Sequence, residues 1–166
     1  MTNPFVCPIC GNQKGVPPSG NRNSPILVVG EFPGREEIYK GRPMIGRMGE
    51  VLKMELGKLG VDLNRMRLCN LWQHEPNNNA DCYEHGMKVV IHEAKGKQAI
   101  LLLGSDAVKC FTGEKVSDVC GLEVKSVYLS APIIMACINP AQVFHSGVGE
   151  VRLALKKFVK RIEGIL

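Results

Sequence analysis

The sequence lacks the features that define several classes of protein. No apolar run approaches the roughly 20 residues that a helix needs to cross a bilayer, which excludes a transmembrane protein. The first residues show no basic start followed by a long apolar stretch, so we expect no secretory signal and a cytoplasmic location. The phosphate-loop pattern G-x-x-x-x-G-K-[ST] is absent, which argues against a nucleotide-processing enzyme. Aromatic residues make up only 5% of the chain.

The remaining composition is that of an ordinary folded domain. Hydrophobic residues make up 45% of the 166 residues and charged residues 22%. A chain of this length suits one compact domain, so we expect a single domain over residues 1–166 that acts as a monomer. Lysine and arginine number 21 against 16 acidic residues, and the net charge of +5 weakly favours polyanionic partners.

The seven cysteines are the unusual feature of this composition. An odd number of cysteines in a chain long enough to bury a core is a poor fit to a secreted disulfide scaffold. Three of them lie in or beside apolar stretches, and we predict that they are small core residues: Cys110, Cys120 and Cys137.

Cys7 and Cys10 form a tight C-x-x-C turn, and such turns hold a metal ion or an iron–sulfur cluster. A redox pair normally opens a helix, whereas a loop rich in glycine and proline follows here. Two ligands do not complete a site, and residues 67–82 offer further cysteines and a histidine. We therefore predict an N-terminal metal-binding turn over about residues 5–24. The four ligands are predicted to be Cys7, Cys10, Cys82 and either His74 or Cys69.

Apolar runs alternate with helical patterns along the chain. Four runs of about five to eight residues predict buried strands at 26–30, 67–72, 99–104 and 132–139. Helical spacing of apolar residues predicts helices within 49–59, 80–95 and 149–166, with Ser105 as the N-cap of a further short helix. This alternation predicts an α/β fold: three αβα layers around a mostly parallel central sheet of about four strands.

Such a sheet also predicts where a ligand binds, which is just beyond the carboxyl ends of the strands. Glu31 follows a predicted strand, Asn139 ends another, and Asn70 lies near the end of a third. A carboxylate and two amides therefore converge on one edge of the sheet. An amide offers a hydrogen-bond donor and acceptor side by side, which is what reading the edge of a flat heterocycle requires.

The stretch GEFPGREEIYKGRPMIGRMG, residues 30–49, resembles the opening motif of the uracil-DNA glycosylase superfamily. It is most similar to the iron–sulfur (family 4) branch, whose pattern is G-E-x-P-G-x-x-E followed by G-x-P-x-x-G-x-x-G. The matching residues are Gly30, Glu31, Pro33, Gly34, Glu37, Gly41, Pro43, Gly46 and Gly49. The resemblance covers roughly residues 5–160 and includes the family's asparagine at Asn70 and its second motif at Asn139.

The resemblance implies a monofunctional DNA glycosylase that flips uracil, or a related modified pyrimidine, out of DNA and hydrolyses its glycosidic bond in base excision repair. Asn70 would read the uracil edge, Glu31 would lie near the anomeric carbon or its attacking water, and Asn139 would donate to the uracil O2. Further substrate contacts are implied for Gly30, Phe32, Pro33, Gly34, Met44 and His145. No lysine occupies a motif position suited to a Schiff base, so we expect no lyase step.

Four positions depart from the family pattern. Asn139 replaces a histidine, and Met44 replaces a phenylalanine that stacks on the base. Phe32 fills a site that is small or acidic in most branches, and His145 stands near a basic arginine of the family. These changes leave an alternative open, a catalytically impaired module of the same fold that binds DNA or a replication or repair partner.

The resemblance also implies a [4Fe–4S] cluster. Cys7 and Cys10 stand where the family has its first two cluster cysteines, and Cys82 matches the fourth. His74 follows Asn70 by four residues, which is the register of the third cysteine. Zinc is the alternative cofactor, because C-P-I-C-G is also a zinc-knuckle turn and the site could be Cys3His.

Overall fold

A five-stranded sheet lies at the centre of the computed structural model, which describes residues 5–166. The strands are β1 (Ser19–Gly20), β2 (Ile26–Gly30), β3 (Arg67–Asn70), β4 (Ala99–Leu103) and β5 (Ile133–Cys137), in the order β1-β3-β2-β4-β5. Four strands are parallel, and β1 pairs antiparallel with β3 at one edge. The predicted α/β fold is confirmed. The fifth strand was not predicted because a two-residue edge strand leaves no apolar run.

The helices are α1 (Arg35–Lys40), α2 (Arg47–Lys58), α3 (Ala80–Ala94), α4 (Ser105–Thr112), α5 (Val116–Val119), α6 (Val143–Ser146) and α7 (Gly149–Arg161). Two single 3-10 turns lie at Leu63–Arg65 and Pro140–Gln142. Among the helices of residues 5–166, none is both long enough and apolar enough to cross a membrane. The predicted domain over residues 1–166 includes residues 1–4, which lie outside the described part of the chain.

Both faces of the sheet are covered, which explains the continuous apolar runs of its strands. Every residue of β2, β4 and β5 is buried. Successive side chains point to opposite faces, so Val28 joins one core cluster and Val29 the other. Apolar residues of α2 and α7 pack on the first face, and those of α3 and α4 pack on the second. The three predicted layers are therefore present.

The start of α4 differs from the prediction. We expected Ser105 to cap this helix, but Ser105 is its first residue and Gly104 is the N-cap, with a φ of 93°. At the start of α4 the backbone N–H of Asp106 donates a hydrogen bond to the carboxylate of Glu31, which is distant in the sequence. Because Glu31 follows β2, its contact with α4 leaves no pattern in the sequence around Ser105. The prediction that Ser105 is the N-cap of α4 is therefore wrong.

Two of the three cysteines predicted to lie in the core are only partly buried. Cys137 at the end of β5 is fully buried, whereas Cys110 and Cys120 are half-buried. Cys120 lies where residues 120–124 run along the free edge of β5. Its sulfur accepts a hydrogen bond from the backbone N–H of Ile138 at 3.4 Å. These two thiols therefore line the border of the core rather than its centre.

An ion pair between a buried carboxylate and two half-exposed cationic side chains lies where the two helices meet on one face of the sheet. The carboxylate of Glu55 in α2 accepts hydrogen bonds from Arg152 of α7 at 2.9 and 3.1 Å. Lys58 donates a third at 2.9 Å. The hydrogen bonds from Arg152 outweigh the effect of burial and lower the pKa of Glu55 from 4.5 to about 2.

We expect Glu55→Gln to make the protein less sensitive to acid. A carboxylate whose pKa is lowered on folding adds stability above its unfolded pKa and loses that contribution as the pH falls toward the folded value. Between about pH 5 and pH 2.5, the free energy of unfolding should fall by about 1–2 kcal/mol more in the native protein than in Glu55→Gln. Urea unfolding at several pH values measures this difference. Glu50→Gln, a change at an exposed carboxylate of the same helix, should behave like the native protein.

Candidate active site and metal centre

The carboxyl ends of the four parallel strands bring the predicted polar residues to one edge of the sheet. Glu31 follows β2, Asn70 ends β3, and Asn139 follows β5 by two residues. The N-terminus of α4 follows β4 at the same edge. The structure therefore places Glu31 and Asn139 in contact, with the first turn of α4 beside them.

The carboxylate of Glu31 is held by two hydrogen bonds. Its Oε1 accepts from Asn139 Nδ2 at 3.2 Å, and its Oε2 accepts from the backbone N–H of Asp106 at 3.1 Å. Burial raises the pKa of Glu31 above its ordinary value, and the two hydrogen bonds partly oppose that increase. The arrangement is a half-buried carboxylate, oriented at a helix N-terminus, that binds a proton more readily than a free glutamate.

Gly104 makes room for this carboxylate. Its φ of 93° lies in the left-handed region, and a Cβ at this position would clash with the side chain of Glu31. A residue with a side chain would thus displace Glu31 from the N-terminus of α4.

The side chain of Asn139 is engaged at both ends. Its Oδ1 accepts from the backbone N–H of Ala141 at 2.9 Å and caps the turn Pro140–Gln142. Because the oxygen faces that N–H group, the amide nitrogen faces Glu31. Asn139 therefore orients the carboxylate with one of the two N–H groups of its amide.

Asn70 contains an unpaired polar atom. Its side chain is buried, and among the residues that the structure describes its Oδ1 is the one buried side-chain oxygen or nitrogen without a hydrogen-bond partner. Leaving a buried acceptor unpaired costs about 1–3 kcal/mol, so such an atom indicates a ligand that supplies the donor. A Cβ on Gly30 would clash with this oxygen, and only glycine leaves space for Asn70 here.

The glycine-rich motif is braced by a buried glutamate. Glu37 of α1 accepts a hydrogen bond from the backbone N–H of Gly46 at 3.2 Å. A Cβ on Gly34 or Gly46 would lie within 2.9 Å of the carboxylate of Glu37. Glu37 thereby ties the first half of the motif to the second. The sequence shows Glu37 only as a residue that matches the motif. Its bracing contact could not be predicted, because the partner, Gly46, lies nine positions away.

Met44 adopts a backbone conformation that is rare for a residue with a side chain. Its φ is 58°, and its side chain is buried. Gly49 packs directly on its carbonyl group, so that a Cβ there would clash. Strained backbone of this kind is common at binding sites, where the surrounding structure holds it in place.

A cavity of about 290 Å³ opens in front of Glu31. It is lined by Glu31, Phe32, Gly34, Arg35, Glu36, Glu37, Gly46, Arg47, Met48 and Asn139. The methyl group of Met48, which lines this cavity, lies about 3.4 Å from the position of a Cβ on Gly30. Sequence reasoning missed Arg35, Arg47 and Met48, since they occupy the variable positions of the motif.

The rim of the cavity carries exposed aromatic and basic side chains. Phe32 is 46% exposed and Phe144 of α6 is 55% exposed. The guanidinium of Arg47 stacks over the ring of Phe144, 4.6 Å from its centre. The predicted contact residue His145 follows in α6, where it is exposed and does not line this cavity.

The predicted metal ligands come together as a group of four. The ligand atoms of Cys7, Cys10, His74 and Cys82 all lie within 4.8 Å of one another. Cys7 Sγ is 4.0 Å from Cys82 Sγ, and Cys10 Sγ is 3.6 Å from His74 Nε2. Cys69, the alternative to His74, lies outside this group. Its thiol is buried among apolar side chains, which raises its pKa well above the ordinary value.

Local contacts prepare these residues to bind a metal. His74 Nδ1 lies 2.8 Å from the carbonyl oxygen of Glu75, so that it donates there and leaves Nε2 facing the group. Asn77 donates to Cys82 Sγ at 3.9 Å. Although burial alone would raise the pKa of the Cys7 thiol, backbone N–H groups of the turn lower it to about 7. A thiol with a lowered pKa releases its proton readily to a metal.

The metal group is joined to the segment that carries Asn70. Gly15 forms a backbone bridge with His74, and Val16 N donates to the carbonyl of Gln73 at 2.7 Å. The side chain of Gln73 in turn donates to the Asn70 carbonyl at 2.7 Å. The N-terminal turn and residues 70–74 therefore form one connected unit.

Comparisons with known proteins agree with these features. The family model described as Uracil DNA glycosylase superfamily matches residues 17–162. The Type-4 uracil-DNA glycosylase of Thermotoga maritima is 32% identical over 120 residues, which cover 68% of this chain and 62% of the relative. Those of Archaeoglobus fulgidus and Pyrobaculum aerophilum are 38% identical over 66 residues and 35% over 74, covering 33% and 38% of those proteins. The matched part thus spans less than two thirds of each relative.

We expect Gly30→Ala to destabilise the fold through its contact with Asn70. The added methyl group overlaps Asn70 Oδ1, and such overpacking costs about 1–3 kcal/mol. Gly57→Ala is a matched control, because a Cβ at this exposed position of α2 meets nothing within 4 Å and alanine favours a helix. Urea unfolding should show a loss of stability for the first change and none for the second. Equal stability of the two variants would contradict the packing of Gly30 against Asn70.

Proposed function

Since the chain belongs to the uracil DNA glycosylase superfamily, we propose that it is a monofunctional glycosylase that removes uracil from DNA in base excision repair. The unpaired oxygen of the buried Asn70 carries this proposal. Uracil has a hydrogen on N3, and this donor satisfies the Asn70 oxygen while the amide nitrogen can donate to O4. A DNA substrate also implies that the protein acts inside the cell.

The same atom supports selection against cytosine. Cytosine has an acceptor at N3 and a donor amino group at C4, which is the reverse of the uracil pattern. The Asn70 oxygen is held in place to accept from N3–H of uracil. With cytosine in the site, this oxygen would face the N3 acceptor and stay unpaired. Asn70 is fixed in this way, because Gly30 packs against its side chain and Gln73 holds its backbone.

Glu31 is the residue best placed to activate water. We propose that its carboxylate accepts a proton from the attacking water as the water oxygen bonds to the anomeric carbon. The bond from that carbon to N1 breaks, and its electron pair leaves with the uracil as an anion. The hydrogen bonds from Asn139 and Asp106 orient the carboxylate, and its raised pKa brings it closer to the working pH of a general base.

Asn139 acts through Glu31 in this mechanism. In the structure one N–H of its amide donates to Glu31 and its oxygen caps the following turn, which leaves the second N–H for the contact with the uracil O2 that the resemblance implies. We therefore propose a positioning role for Asn139. It replaces the histidine of the family without supplying a positive charge, and it helps to keep the adjacent carboxylate ionised.

The rim of the cavity supports a DNA substrate. Arg35 and Arg47 line the entrance and can contact the phosphates that flank an extruded nucleotide. Phe144 is exposed beside them in α6, where it can occupy the space that the flipped base leaves in the stack. Phe32 in the cavity wall offers an aromatic surface for the base or sugar.

The group formed by Cys7, Cys10, His74 and Cys82 supports a metal centre, for which the resemblance implies a [4Fe–4S] cluster and the turn sequence also permits zinc. When bound, the metal would contribute structural stability. The four residues would fasten the N-terminal turn to α3 and to the segment of Asn70. None of these four residues lines the cavity in front of Glu31, so we assign the centre no chemical step.

We expect Asn70→Ala to lose uracil excision by about 10²–10³-fold. The change removes the acceptor for N3–H and the donor for O4. The assay uses a uracil-containing oligonucleotide, which is incubated with protein and then cleaved with alkali at abasic sites. Asn23→Ala, at an exposed asparagine before β2, should excise uracil at the native rate. If native protein and Asn70→Ala both leave the oligonucleotide intact but bind DNA without preference for uracil, the protein is a binding module.

We expect Asn139→Ala to change the pH dependence of excision. The hydrogen bond from Asn139 lowers the pKa of Glu31, so its loss raises that pKa. Since the base acts when ionised, the acidic limb of the rate profile should move to higher pH, with a rate loss of about 10–100-fold near neutral pH. Asn139→Asp, which places a like charge beside Glu31, should move the limb further.

Gln142→Ala is the control for this experiment, because the residue is exposed in the same turn. A purely structural role for Asn139 as the cap of this turn would lower the rate equally at every pH. An unchanged profile shape in Asn139→Ala would therefore overturn the positioning role.

A further inference from the structure

The spacing of the four metal ligands is that of a site for one ion. All four ligand atoms lie within 4.8 Å of one another. Zinc bonds to sulfur at about 2.3 Å and to nitrogen at about 2.0–2.1 Å, so a tetrahedral site places two sulfur ligands about 3.8 Å apart and a sulfur and a nitrogen about 3.5 Å apart. The observed distances are 4.0 Å from Cys7 Sγ to Cys82 Sγ and 3.6 Å from Cys10 Sγ to His74 Nε2.

A [4Fe–4S] cluster does not fit this arrangement. Each protein ligand of such a cluster binds a different iron, so the four ligand atoms surround the whole cube and stand farther apart than ligands that share one ion. The donor set differs too, because His74 provides an imidazole where four thiolates are usual for this cluster. Cys69 does not restore a fourth thiolate, since it lies outside the group in the apolar core.

The surroundings of the ligands also match a structural zinc site. His74 donates from Nδ1 to a backbone carbonyl, which fixes its orientation and directs Nε2 toward the other ligands. Cys82 accepts a hydrogen bond from Asn77 and lies in the first turn of α3, which Asn79 caps. Cys7, His74 and Cys82 are nearly completely buried, so the centre is closed to solvent except beside Cys10.

We propose that Cys7, Cys10, His74 and Cys82 bind a single tetrahedral zinc ion in place of the [4Fe–4S] cluster that the family resemblance implies. This inference rests on the metal centre proposed above but is independent of the catalytic residues. The zinc holds three segments together: the N-terminal turn, the residues after β3 that include His74, and the first turn of α3. It has no open coordination position, so its role is structural.

Metal analysis of the intact protein tests this proposal. After anaerobic purification without added metal, we expect a colourless protein with about one zinc ion per chain and no acid-labile sulfide. Replacement of zinc by Co²⁺ should give the strong visible bands of tetrahedral cobalt bound to thiolates. A brown protein with iron and sulfide in equal amounts, or a protein with no bound metal, would overturn the proposal. Glycosylase activity is measured separately, so failure of the proposed reaction would not affect this result.

Ligand variants identify the fourth ligand. We expect His74→Ala to lower zinc affinity by roughly 100-fold or more, because three ligands remain. His74→Cys should keep zinc, and its cobalt form should show stronger sulfur-to-cobalt absorption, which tests the position even if the alanine variant fails to fold. Cys69→Ala is the matched control and should keep the native zinc content and cobalt spectrum. Loss of zinc in Cys69→Ala with retention in His74→Ala would contradict the assignment.

Discussion

The fixed position of the Asn70 side chain is the constraint on which the rest of the site depends. Gly30 packs against its oxygen, Gln73 holds its backbone, and the N-terminal turn pairs with residues 73 and 74. The group of Cys7, Cys10, His74 and Cys82 brings this turn against the first turn of α3. A buried acceptor can remain unpaired only where the surrounding structure prevents it from turning to another donor. The predicted metal ligands and the Asn70 amide are therefore parts of one connected unit.

The site contains several features that lower stability, and the fold around it compensates for them. The unpaired Asn70 oxygen and the left-handed backbone of Met44 each cost about 1–3 kcal/mol. They lie beside β2 and β3, whose residues are all buried, so there is little freedom for relaxation. Placing such features at the end of a buried parallel sheet keeps the polar groups oriented before a substrate arrives.

Much of this arrangement could be predicted from the sequence, because it follows from the ends of parallel strands. The apolar runs indicated four strands, and these placed Glu31, Asn70 and Asn139 at one edge. The contact between Asn139 and Glu31 could not be predicted, since it depends on how two loops approach one another. That His74, and not Cys69, lies with Cys7, Cys10 and Cys82 also depends on the path of the chain after a strand. Cys69 lies within β3 and faces the core, whereas His74 lies beyond the strand, where the chain turns toward Cys10.

The central claim is that the unpaired oxygen of Asn70 accepts the N3 hydrogen of uracil. The most direct test compares two oligonucleotides that differ only in one base, uracil or 3-methyluracil, and measures base release by the native protein. We expect release of uracil and none of 3-methyluracil, because the methylated base has no hydrogen to donate at N3. Release of both bases at similar rates would contradict the assignment of Asn70 as the residue that reads the base.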